Sequence, residues 1–372
     1  MSNNKDDRKA ELFKEALENY LFPIVHLLRD DSISEIMING HDKIFVESKG
    51  KLRPADCQFP REEDLRAAVN SIAQFVGRTI DEENPRLDAR LPDGSRIHVV
   101  IPPCARGGTV VAIRKFSQVE VDFKRYIEWG AITPKGAQFL ELAMYLGKNI
   151  LVSGGTGSGK TTLLGLLCSR IPVGQRIIVI EDASELTIHY PHVVRFETKE
   201  ADEHGVGEVS IFDLVKSSLR LRPDRIIVGE VRGGEAFELI QAMNTGHKGC
   251  LGTIHANTID DALVRLESLA LAAGNVSERA LRYSIQSAID LVVQVSRLRD
   301  GSRKILSIGE VLGFDDEGNY ETREIFNIPA LVLQPDGTLK GEIEPTGEIP
   351  SFMSEIEENK IPFPRSKFKK SA

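Results

Sequence analysis

The sequence predicts an α/β protein in which a larger domain, built on a parallel sheet with helices on both faces, follows a smaller α+β domain and N-terminal helices. Three observations carry this reading. From about residue 134 onward, apolar runs alternate with helical patterns: a helix to Leu146, then NILVS, a helix from Lys160, RIIVIED, a helix from Ser210, RIIVGE, a helix from Glu235, and CLGTIH. Strands that are apolar throughout and separated by helices belong to a parallel sheet covered on both faces. Before residue 116 the pattern is different. SEIMIN and KIFVES alternate in polarity and are followed by the turn residues Gly40 and Gly50. Leu65, Ala68, Val69, Ile72, Ala73 and Val76 recur at helical spacing. LDARLPDGSRIHVVIPP and TVVAIRKF read as further strands around a Pro92-Asp93-Gly94 turn. Finally, 372 residues exceed one ordinary core.

The predicted organisation is an N-terminal helical segment over 1–30, the α+β domain over 31–116, a linker over 117–131, the α/β domain over 132–327 and a tail over 328–372. The tail has many prolines and few long apolar runs, which predicts poor order. A composition of 41% hydrophobic and 27% charged residues is that of a soluble globular protein. The net charge of -8 weighs against a general affinity for nucleic acid. No run of 18 apolar residues is present, so no membrane span is expected, and the polar start MSNNKDDRKAELFKEALENY lacks the apolar stretch of a signal peptide. The four cysteines, Cys57, Cys104, Cys168 and Cys250, are far apart and form no Cys-x-x-Cys. That predicts no zinc site and a reducing, cytoplasmic setting.

Four places carry chemistry. GGTGSGKT (154–161) fits G-x-x-x-x-G-K-[ST] between a strand and a helix. Gly154, Gly155, Thr156, Gly157, Ser158 and Gly159 would wrap backbone N–H groups around phosphate oxygens, and a helix N-terminus starting at Lys160, Thr161 and Thr162 adds a favourable dipole. Lys160 would contact the β- and γ-phosphates of ATP, and Thr161 would bind Mg²⁺. RIIVIEDASEL places Glu181, Asp182 and Glu185 at or just past a strand tip, where ligands of open α/β sheets bind; Asp182 and Ser184 could equally cap a turn. RIIVGE delivers Glu230 to a third tip behind Gly229, facing the same site. In NTGHKGCLGTIHANT, His247 and His255 bracket a fourth strand; they read as hydrogen-bonding sensors, with His255 nearest the phosphates.

Together, GGTGSGKT, IEDASEL, LRLRPDRIIVGEVRG and TGHKGCLGTIHANT resemble the Walker A, Asp box, atypical Walker B and His box of the secretion-superfamily ATPases, over about residues 21–313. The resemblance implies a RecA-like P-loop ATPase domain. EIMING, VESKGKL and ARLPDGSRIHVVIPP look most like the Tad (Flp) pilus branch; type IV secretion is the alternative, sharing TIHAN and RPDRIIVGE. By position, Glu185 resembles the family's water-activating glutamate and Glu230 its Walker B glutamate, which orders Mg²⁺ partly through water. Arg96 and Arg114, with Arg90 as a further candidate, fall where arginines of the family's N-terminal domain reach a γ-phosphate. The planar, permanently charged guanidinium suits that role. The resemblance also implies a homohexamer, an inner-membrane platform partner and peripheral association with that membrane. Two departures stand out. The four-cysteine zinc module of many pilus-extension members is missing, and TIDDAL replaces the Ser-Pro-Arg-Asp run often found in Tad-type members. A RecA-like nucleic-acid motor and a nucleotide-gated scaffold without turnover are the rival classes.

Overall fold

The computed structural model of the protein describes residues 20–48, 50–91, 93–115, 121–201, 205–274 and 276–370. These fall into two compact units, one on either side of 116–120.

The first unit opens with a 3-10 turn, Phe22–Ile24, and a short helix α1 (Val25–Arg29). Strands β1 (Ile33–Asn39), β2 (Ile44–Ser48) and β3 (Lys51–Pro54) follow, then α2 (Glu62–Phe75), β4 (Arg86–Arg90), β5 (Arg96–Val100) and β6 (Val110–Arg114). All six strands form one antiparallel sheet in the order β3-β2-β1-β6-β5-β4. Its inward positions, Ile36 and Ile38 on β1 and Ile97 and Val99 on β5, share a core with Leu65, Ala68, Val69 and Ile72 of α2. Leu21, Ile24 and Leu27 are buried in that same core. The described part of the segment expected to precede the domain is therefore part of it. A helix of one turn has no stability of its own and must borrow it from packing. Residues 1–19, the rest of that expected segment, lie outside the described residues.

The second unit begins with α3 (Phe123–Glu128) and α4 (Pro134–Leu146). It continues through β7 (Ile150–Gly154), α5 (Lys160–Cys168), β8 (Ile177–Glu181), β9 (Val193–Glu197), α6 (Ile211–Ser218), β10 (Arg225–Val228), α7 (Glu235–Asn244), β11 (Leu251–Ile254), α8 (Ile259–Leu271) and α9 (Glu278–Ala288). It closes with β12 (Leu291–Arg297), β13 (Arg303–Phe314), β14 (Tyr320–Asn327), β15 (Val332–Leu333), β16 (Leu339–Lys340), β17 (Glu344–Pro345) and α10 (Met353–Glu358). A nine-stranded sheet runs β17-β14-β13-β12-β7-β11-β10-β8-β9. It is parallel from β12 to β9 and antiparallel from β12 out to β17. Successive strand residues serve opposite faces. Ile150, Val152, Ile177 and Val179 belong to one apolar layer with α4 and α5; Leu151, Ile178 and Ile180 belong to the other with α7, α8 and α9. Helix starts follow local chemistry: the Thr133 side chain accepts from the Gly136 N–H ahead of Pro134, and Ser210 forms a capping box with Asp213.

Two expectations are corrected here. Residues 121–131, expected to be linker, are packed: Phe123, Tyr126 and Ala131 are buried in the core of the second unit. The described tail, expected to be poorly ordered, is also packed. Phe352, Met353, Ile356, Phe363 and Phe368 are buried around Phe139 of α4, with ring centroids 5.8 Å (Phe368) and 6.0 Å (Phe352) away. Glu310 of β13 is buried and accepts from the Ser351 amide and hydroxyl and from Arg323, while Lys148 pairs with Glu355 at 2.6 Å and lies over the Phe352 ring. Spaced single aromatics dock without the periodic pattern that marks an element in sequence. Burying three phenylalanines is worth on the order of 5–9 kcal/mol at about 1.5–3 each, comparable to the whole stability of a typical domain. A chain ended after Asn327 should accordingly be insoluble or melt far below the full chain in calorimetry; an unchanged Tm would refute the docking.

Candidate functional site

Strand β7 ends at Gly154, and the next residues loop back into α5. The turn is built for glycine: a Cβ at Gly154 would lie 2.5 Å from the Val295 carbonyl oxygen and 2.6 Å from Ser158 Oγ, and Gly157 and Gly159 take φ of +69° and +95°. Ser158 Oγ donates to the Gly155 carbonyl at 2.8 Å, and Lys160 Nζ donates to the carbonyls of Gly154 (2.9 Å) and Gly155 (3.1 Å). The lysine thus lies folded over the loop, with Thr161 and Thr162 on the first helical turn behind it. A glycine-rich cradle opening onto a helix N-terminus, with an ammonium at its mouth, fits a phosphate group.

Sequence reasoning missed the outer support of this loop. Arg303 Nε, at the start of β13, donates to the Gly157 carbonyl at 2.8 Å, and Arg297 Nη1 comes within 3.4 Å of where a Gly157 Cβ would sit. The two flank the Asp300-Gly301 hairpin between β12 and β13. Their spacing carries no motif, and only the antiparallel return of β13 brings them beside the loop.

The strands carrying the other three motifs are β7's neighbours in the order β7-β11-β10-β8. Ser153 is in register with Ile254, and Val228 with both Gly252 and Ile180. The tips bearing Gly154, His255, Glu230 and Glu181 therefore emerge at one edge of the sheet. Glu181 is buried; its Oε1 accepts from the amides of Glu185 (2.8 Å) and Leu186 (2.9 Å). Burial raises its pKa, against the lowering effect of those two amides. Arg232, which sequence reasoning passed over, bridges Asp182 (3.0 Å) and Glu230 (2.5 Å). Burial works against the Arg232 charge. The hydrogen bond to Glu230 and the charges of Glu230, Asp182 and Glu185 outweigh it and raise the pKa. Glu230, Asp182 and Glu185 thus share one electrostatic neighbourhood.

His255 follows β11 directly and stands half-buried at this edge. His247 does not. It precedes β11 by four residues, so it lies beyond the opposite end of a strand that is itself about 13 Å long at ~3.3 Å per residue. Its Nδ1 approaches the Ala242 carbonyl at 3.2 Å behind α7. The expectation that His247 contacts nucleotide is corrected within its own unit, because a parallel strand delivers only its C-terminal end to the site. On the first unit, Arg90 is in register with Arg96, and Arg96 with Arg114, so the three arginines lie side by side across β4, β5 and β6. Arg114 is also in register with Glu35 on β1.

A family model described as "Type II/IV secretion system protein" matches residues 18–322. The chain belongs to this family. As a type II/IV secretion system protein it is 33% identical over 306 residues to the conjugal transfer protein TrbB of Rhizobium radiobacter, covering 81% of this chain and 90% of that one. It is 33% identical over 328 residues to the type IV secretion system protein VirB11 of Bartonella quintana, covering 77% and 91%. Among solved structures, the Legionella pneumophila ATPase DotB is similar in fold, with a TM-score of 0.56 and 21% identity over 79% of this chain and 80% of that one. The chain thus has the mixed α/β architecture of the RecA-like secretion ATPases.

Proposed function

We propose that this chain is a Mg²⁺-dependent ATPase that works as a homohexameric ring. It passes the energy of hydrolysis to an inner-membrane platform protein, and so assembles or retracts a Tad-type pilus or drives the associated secretion. The observation that supports this most is the convergence of four motif tips on one edge of the sheet beside a glycine-rich cradle. The Tad assignment rests on the runs of the first domain. A type IV secretion ATPase is the second reading, favoured by the likeness to VirB11 and TrbB. The acidic balance weighs against a nucleic-acid motor. No helix among the described residues is long and apolar enough to cross a membrane.

Phosphoryl transfer to water requires positioning and charge neutralisation more than covalent chemistry by the protein. Amides of the 154–159 loop and Lys160 would bind the phosphates of ATP. For Lys160, two neutral carbonyl acceptors would be exchanged for charged oxygens, a stronger class of hydrogen bond. Thr161 and Glu230 would hold Mg²⁺, Glu230 partly through water; the ion, when bound, supplies positive charge beside the transferring group. Glu185 would orient the attacking water and take up its proton. His255, at the same edge, would hydrogen-bond near the phosphates. Arg96 and Arg114 would stabilise charge on the γ-phosphate.

The test is turnover by the purified chain. Lys160→Ala should cut hydrolysis by about 10²-fold or more, ~2.7 kcal/mol in barrier, and weaken ADP binding in calorimetry. Near-normal turnover in a folded Lys160→Ala variant would remove the phosphate loop from the mechanism. Sizing with nucleotide tests the ring, stimulation by single-stranded DNA would favour the nucleic-acid motor, and the membrane protein retained on an affinity column separates the pilus from the secretion reading.

A further inference from the structure

We infer that Glu181 is a positioning residue: its buried carboxyl braces the loop bearing Glu185 against Gly229, the residue before Glu230, and so sets the separation of the two acidic groups. The inference rests on the proposed roles of Glu185 and Glu230.

A carboxyl at 3% exposure is a costly way to end an apolar strand. Glu181 has no cation within ion-pair distance among the described residues, and its Oε2 is buried without a hydrogen-bond partner there. What the side chain does is specific. One oxygen, Oε1, accepts the amides four and five residues on, closing the arch over 182–184. The far foot of the arch is held as well, because Arg195 Nη1 donates to the Leu186 carbonyl at 2.7 Å and Leu186 is buried. Glu185 therefore projects from a segment fixed on both sides of it.

The opposite side of Glu181 faces β10. A Cβ at Gly229 would lie 2.9 Å from Glu181 Cγ and 3.5 Å from its Cβ. Gly229 itself cannot retreat: its amide donates to the Ile180 carbonyl at 2.8 Å, and its own carbonyl accepts from Thr253 Oγ1 at 2.7 Å. Its backbone lies outside the left-handed region, and of the three atoms nearest an alanine Cβ there, Glu181 Cγ alone is closer than ordinary contact. The glycine that ends this strand thus makes room for a neighbouring glutamate, which ties the Asp-box arch to the Walker B tip.

The experiment uses the full chain with Glu181→Ala, Gly229→Ala, the double variant and Glu181→Gln. Hydrogen exchange at the Glu185 and Leu186 amides is measured alongside kcat, KM and ADP affinity. Glu181→Ala should speed exchange at both amides and lower kcat by about 10–10²-fold, the scale expected of a misplacement near 1 Å, with KM and ADP affinity within about threefold. Gly229→Ala should do the same by displacing Glu181. In the Glu181→Ala background it should have no further effect, since the obstacle is gone. Glu181→Gln keeps the shape and Oε1 and should retain slow exchange and most of kcat. Unchanged exchange in Glu181→Ala, or additive losses in the double variant, would overturn the brace. If the wild-type chain proves to hydrolyse no ATP, the ATPase reading fails, and the exchange pattern still decides the brace by itself.

Discussion

Glu185→Gln should bind ATP with near wild-type affinity and hydrolyse it about 10²–10⁴-fold more slowly, the range that a positioned proton acceptor contributes. At 10³-fold the lost stabilisation is ~4 kcal/mol. The loss should lie in kcat, as when an interaction is made only in the transition state. Glutamine keeps the size of the side chain and its hydrogen-bonding oxygen but cannot take a proton. The arch should survive the change, because what Glu181 holds is the amide of residue 185 and not its side chain. Glu230→Gln should differ. Its carboxylate is the proposed Mg²⁺ group, and an amide carries no charge for the ion, so the Mg²⁺ concentration needed for half-maximal turnover should rise. A metal titration separates the two variants. Unchanged kcat in Glu185→Gln would take that residue out of the mechanism, whatever happens at Glu230.

Legibility in the sequence followed the locality of the cause. The helix starts at Pro134, Lys160 and Glu235 and the strands β7, β8, β10 and β11 are written in short apolar runs, caps and turns, which a single sequence displays. The order β7-β11-β10-β8 is not written there, and it is what turns four separate motifs into one edge. Arg303 was missed because its partner lies 146 residues away, and the bridging role of Arg232 because Asp182, the second acid it joins to nearby Glu230, lies 50 residues away. His247 was misplaced because both histidines flank the same strand and spacing says nothing of which end reaches the ligand. The tail was misread because density of apolar residues was weighed rather than their docking: Phe352, Phe363 and Phe368 are isolated in sequence and become adjacent only around Phe139. Nor does the sequence display what packs against Gly229. The approaching group is a glutamate from the neighbouring strand, a fact that depends on β8 and β10 being in register.

Arg96→Ala and Arg114→Ala should keep ADP affinity and lose on the order of 10³-fold or more in turnover, the scale associated with an arginine that stabilises charge developing in phosphoryl transfer. Their register strengthens the expectation. Two guanidiniums directly opposite each other on β5 and β6, with Arg90 beside Arg96 on β4, are close enough in register to serve one anion. If both serve the same γ-phosphate, their effects should be coupled: the double variant should be less impaired than the product of the single losses predicts. The arginines and Lys160 belong to different units of the chain, so mixing decides whether they meet within one subunit or between two. Rings assembled from Arg96→Ala and Lys160→Ala subunits should regain part of the activity if the arginine acts on a neighbour's nucleotide, because some interfaces then join an intact row to an intact phosphate loop. No regain in rings of normal size would assign the contact to a single subunit, and full activity in both single variants would refute the role altogether.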